Sequence, residues 1–180
     1  MRLVHYSDEP FGELREINYP PEDDWRTSFY KPHGLWVSDD AANYGWREWS
    51  IDNEFRLDRL THVHDVTLVP GANIRVISTA DELDRFNAEF SLPSYRDKKL
   101  APDMQRFVAT YGLLWRSVAE RYDGLIITPY LWEKRLDFES MWYYAWDCAS
   151  GCIWQRRAIQ SVTLREVVPV PQKADVDADQ

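Results

Sequence analysis

The residues best suited to chemistry stand in three places. Near the N-terminus, Val4-His5-Tyr6-Ser7 sets an imidazole and a hydroxyl two positions apart in a short aliphatic stretch. An extended chain brings such a pair to one side of a strand. Further on, Gly34-Leu35-Trp36-Val37-Ser38 sets a tryptophan inside an aliphatic run, and Ala42-Asn43-Tyr44 follows it. Late in the chain Glu139, Asp147 and Ser150 supply two carboxylates and a hydroxyl among aromatic residues. An imidazole, a hydroxyl, flat aromatic walls and one acid suffice to hold a planar ring, grip sugar hydroxyls and steady a positive charge developing at carbon.

Each of these residues also has a plain structural reading. His5 can fill an inward strand position and bond a carbonyl. Trp36 and Tyr44 can be core, and Trp46 and Trp49 lie at helical spacing and read as packing. Ser38 reads as a helix N-cap, and Asp147 as an acceptor in the Ala149-Ser150-Gly151 turn. Two other constellations compete. His62 and His64 share one strand face, half of a metal site, but no third ligand is placed, so the expectation is no metal. Asp137, Glu139 and Asp147 can be paired as the carboxylates of a glycoside hydrolase, with tryptophans as sugar platforms.

Taken in order, the first two motifs resemble the NAD-binding core of ADP-ribosyltransferases, most closely the diphtheria-toxin and poly(ADP-ribose) polymerase branch. The resemblance covers about the first quarter of the chain and the general strand order of its last third. It implies that His5 and Ser7 hold the ribose, that Tyr6 belongs to the same binding strand, and that Gly34 to Ser38 form the second strand. It also implies that Tyr44 stacks on nicotinamide opposite Trp36, so that His5 and Tyr44 line one cleft. The family usually carries a glutamate at the start of a late strand, where Ala149 to Trp154 stand here without one. Asp147 is the nearest carboxylate, Glu139 lies one element earlier, and Ser150 is left to contact the ribose. The resemblance therefore implies NAD as substrate and single ADP-ribose transfer to a macromolecular, expectedly protein, acceptor, with a catalytically silent nucleotide- or protein-binding module as the alternative.

Composition is compatible with that reading. A chain of 180 residues suits one domain, expected over 1–168, with a disordered acidic tail over 169–180. A net charge of −9 disfavours nucleic acid, whose affinity comes from neutralising phosphates with Lys and Arg. A compact anionic cofactor needs only local amides and one or two arginines. No apolar run is long enough for a membrane span and no signal-peptide core follows Met1, so a cytoplasmic protein is expected. Cys148 and Cys152 lack redox or zinc spacing and read as buried thiols.

The elements that must position these residues follow from pattern. Strands are expected at Arg2 to Tyr6, Leu35 to Val37, Leu60 to Val69, Asn73 to Ile77, Leu125 to Thr128, Trp142 to Trp146, Cys152 to Trp154 and Ser161 to Val167. A proline-rich loop spans Ser7 to His33. Helices are expected from Ser38 to about Phe55, over Leu83 and Phe86 behind a Thr79/Glu82 capping box, and from Asp103 to Tyr122. Strands without strict β-α alternation indicate a single-domain α+β fold with a largely antiparallel sheet, and the resemblance adds a split in that sheet that forms the NAD cleft.

Overall fold

A computed structural model describes residues 1–16, 31–91, 101–105 and 112–172. Its strands are β1 (Leu3–Ser7), β2 (Leu35–Asp39), β3 (His62–Leu68), β4 (Ile74–Ile77), β5 (Gly124–Ile127), β6 (Ser150–Ile153) and β7 (Ile159–Val167). They form one sheet in the order β4-β5-β6-β2-β1-β3-β7. The β4–β5 pair is parallel and the other five neighbouring pairs are antiparallel. The chain is thus a mixed α+β single domain.

Both faces of the sheet are covered. Helices α2 (Ala80–Phe90) and α3 (Trp115–Arg121) and the 3-10 helix Phe138–Ala145 share an aromatic core with Ile77, Leu125 and Ile127. The opposite face packs Leu3, Val37, Val66, Ile126 and Ile153 together. Val37 and Trp36 therefore serve different cores, as strand alternation requires. The Thr79 hydroxyl accepts the Glu82 N–H, and Leu83 and Phe86 are buried, as the capping box predicts.

Three expected elements are corrected. Helix α1 runs only over Trp46–Asp52 rather than from Ser38 to about Phe55. The Asp39 carboxylate accepts the N–H groups of Arg2 and Ala41, which folds the chain into turns before a helix can start. Ser38 still caps that helix, from a distance, by accepting the Trp46 N–H at 2.9 Å. A Cβ on Gly45 would stand 2.6 Å from the same hydroxyl oxygen, which explains a glycine there.

The expected helix from Asp103 to Tyr122 is interrupted. Leu113 bridges Ser91 and the Leu114 N–H donates to the Phe90 carbonyl, so this backbone is tied to the end of α2 and α3 begins at Trp115. Phe107, Val108 and Tyr111 lie outside the described residues. Trp142 to Trp146 is not a strand. Asp137 accepts the Glu139 N–H and opens the 3-10 helix, in which Trp142 and Tyr143 are buried and Tyr144 is exposed. Burial of two successive aromatics, with Trp146 buried after them, fits helical spacing and not alternation. Residues 17–30 of the expected loop and 173–180 of the expected tail also lie outside the described residues. Among the described residues no helix is long and apolar enough to cross a membrane.

Candidate functional site

The β1–β2 ladder has only two residue pairs, Leu3↔Asp39 and Val4↔Ser38, although β1 pairs with β3 as far as Ser7 and β2 pairs with β6 from Leu35. The sheet consequently parts beyond Val4, between two strands that are each held firmly on their far side. A cleft of about 490 Å³ opens there, within the range of small-molecule sites. His5, Tyr6, Gly34, Trp36, Asp147 and Ser150 all line it.

His5 marks the fork. Its Nδ1 lies 2.8 Å from the Trp36 carbonyl oxygen. A carbonyl only accepts, so Nδ1 carries the proton and Nε2 of the neutral ring is an acceptor. Burial holds the His5 pKa below its ordinary 6.5, against the opposing pull of the Trp36 bond, and nearby His64 adds to the lowering. The ring packs edge-on to Phe11 at 5.4 Å, and the Phe11 N–H donates to His64 Nε2. Burial likewise lowers His64.

These two shifts carry a sign. Two imidazoles with depressed pKa values bind fewer protons in the folded chain than in the unfolded one, so their contribution is intact above about pH 6.5 and is lost as pH falls. Asp40, raised by burial, titrates in the opposite sense at lower pH, so the informative comparison is between proteins. The melting temperature is expected to drop between about pH 7 and about pH 5.5, and to drop less in His64→Gln. Identical slopes in both proteins count against the assignment.

The remaining expected residues divide. Tyr6 lines the cleft, yet its hydroxyl donates to Asp40 at 2.9 Å. Gly34 lines it because β2 runs hard against β6: a Cβ there would sit 2.5 Å from the Ile153 carbonyl oxygen. Asp147 faces Lys31 at 3.5 Å. The Ser150 hydroxyl donates to the Cys148 carbonyl, so Ser150 shapes the wall and its oxygen is left only as an acceptor.

Three residues lie outside the lining. The Ser7 hydroxyl donates to the Glu9 carbonyl at 2.6 Å, a local turn bond that turns it away from the role expected for it. Tyr44 packs against Trp132 at 5.3 Å and donates to Asp52, so it does not oppose Trp36 across the cleft. Glu139 sits exposed in the 3-10 helix, its carbonyl bonded by Asn87.

Other lining residues were not foreseen as ligand contacts. Lys31, Arg56 and Arg59 bring cations to a protein of net charge −9, while Asp147 is the one carboxylate of the lining among the described residues. Trp46, read as packing, and Phe55 add aromatic surface. Phe55 is presented by a turn in which both Glu54 and Arg56 adopt left-handed φ values of 50° and 49°. Non-glycine residues in that region are uncommon, and such strain gathers at functional sites. No glycine or Asn-Gly signal advertises that turn. Cys148 is pushed up to about 12 by burial and remains a thiol. Among the described residues no three His, Cys, Asp or Glu gather to hold a metal, and His62 and His64 simply stack.

Comparisons with protein-family models, with curated proteins and with solved structures give no match to this chain.

Proposed function

We propose that the cleft binds NAD and that the protein transfers a single ADP-ribose to a protein acceptor. One observation carries the reading: His5, Trp36 and Asp147, from three distant parts of the chain, line one cleft where the sheet parts, although Ser7, Tyr44 and Glu139 do not. Beyond Val4 the facing edges of β1 and β2 lack ladder pairs, and although the Trp36 carbonyl is taken by His5 Nδ1–H, the remaining backbone groups are the kind of surface that satisfies a planar carboxamide. His5 Nε2 is an acceptor suited to a ribose hydroxyl, and Trp36 offers a wall for the nicotinamide ring. Arg56 and Arg59 supply charge for the pyrophosphate. In the reaction, the bond between ribose carbon and pyridinium nitrogen breaks with its electron pair going to neutral nicotinamide. The acceptor nucleophile then bonds to that carbon and loses its proton. Asp147 is the acid available to stabilise the intervening positive charge.

The silent-module reading is favoured by a specific feature as well, because Asp147 is engaged by Lys31 and no glutamate lines the cleft among the described residues. Turnover separates the two. We place the protein in the cytoplasm, where its two free cysteines, Cys148 and Cys152, would stay reduced.

Calorimetry with NAD tests the shared premise. The unmodified chain is expected to bind, and His5→Ala to bind about 1–3 kcal/mol more weakly while remaining folded. Absence of NAD binding by the unmodified chain would end the reading.

A further inference from the structure

Lys31 holds the most ligand-like position in the cleft. Its ammonium lies 5.0 Å from the centroid of the Trp36 ring and 3.5 Å from the Asp147 carboxylate. It therefore touches both an aromatic face and a counter-charge, the two partners a cation carried on a flat ring would also seek. The other cations of the lining have different partners yet remain at the cleft. Arg59 faces Asp8 at 3.7 Å, and the Arg56 guanidinium lies over Phe55 at 5.6 Å.

We propose that Trp36 and Asp147 form a subsite for a ring cation of the pyridinium type, and that Lys31 fills this subsite until a ligand displaces it. The NAD reading supplies the natural ligand, while the chemistry of the subsite stands on the lysine's own contacts. Displacement is physically easy. The Lys31 side chain is 37% exposed, so its ammonium can swing into water on its flexible stem without being buried unpaired. Trp36 stays in place, because its ring packs at 4.7 Å against the fully buried Trp146. A neutral ring gains no charge attraction from the carboxylate, so between rings with the same substituents the subsite discriminates by charge.

The test is calorimetry on the full chain with two probes, the 1-methylnicotinamide cation and neutral nicotinamide, for the unmodified protein, Lys31→Gln and Lys31→Arg. Removal of the internal competitor is expected to tighten cation binding about fivefold in Lys31→Gln. Lys31→Arg should behave as the unmodified protein, neutral nicotinamide should not respond, and melting temperatures should confirm that all three are folded. Unchanged or weaker cation binding in Lys31→Gln, or no cation binding by any variant, overturns the proposal. NAD titrated in parallel separates the two readings. A tightened cation site in a chain that ignores NAD keeps the subsite and removes the NAD reading. NAD binding with no response to Lys31→Gln does the reverse.

Discussion

Trp146→Ala is expected to destabilise the protein by about 3–5 kcal/mol, the range for removing a buried tryptophan side chain. Trp146 is fully buried, its ring lies within 6.4 Å of those of Trp36, Trp115 and Trp142, and its Nε1–H donates to the Ser150 carbonyl at 3.1 Å. Alanine would leave a cavity walled by rigid rings, which collapse poorly, and would remove a hydrogen bond to the Ser150 carbonyl. Domains of this size are stable by only about 5–15 kcal/mol, so a large share of the total is at stake. The loss also reaches the site, because Trp36 is held from behind by this ring and Ser150 forms part of the cleft wall. Urea unfolding should show a lower midpoint with an unchanged slope. A change under about 1 kcal/mol would mean that the aromatic cluster is not packed as described.

On the proposed transfer reading, Asp147→Asn is expected to lower the rate of ADP-ribose transfer about 100-fold, the scale for removing one preorganised electrostatic partner of a charged transition state. NAD affinity should move little, for a physical reason: the substitution weakens attraction for a cationic ring and at the same time frees Lys31, its competitor, from its anchor. The melting temperature should also hold, because a half-exposed ion pair is worth about 0–1 kcal/mol. A fall in kcat at constant stability is the signature of a group acting mainly in the transition state. Unchanged turnover in Asp147→Asn would remove Asp147 from catalysis. An unmodified protein that binds NAD without consuming it would establish the silent module. Lys31→Gln combined with Asp147→Asn completes a double-mutant cycle, and non-additive affinities are expected because the two side chains touch.

Much of the scaffold was readable because its causes are local. Alternation and aliphatic content identify β1, β2, β3 and β5, and the Thr79/Glu82 spacing marks the start of α2. The order of His5, Trp36 and Asp147 pointed to residues that do share a cleft, whereas Glu139 lies outside its lining. The aromatic segment at 142–146 misled, since a run of rings has high strand propensity; the need to bury Trp142, Tyr143 and Trp146 against Trp115 overrides it.

What the sequence by itself determined is therefore the set of residue types and the faces of the strands that carry them, since backbone sterics and side-chain period act within a few residues. Only the tertiary structure decided which of those residues are available. Ser7 and Ser150 have the right hydroxyls, but neighbouring carbonyls engage both; Tyr44 has the right ring, but Asp52 and Trp132 hold it away. Lys31, Arg56 and Arg59 carry no motif, and come to line one cleft only because β1 and β2 part where β3 and β6 hold each of them on the far side. Competition for hydrogen-bond and packing partners across distant segments settles such outcomes, and no local pattern records who wins it.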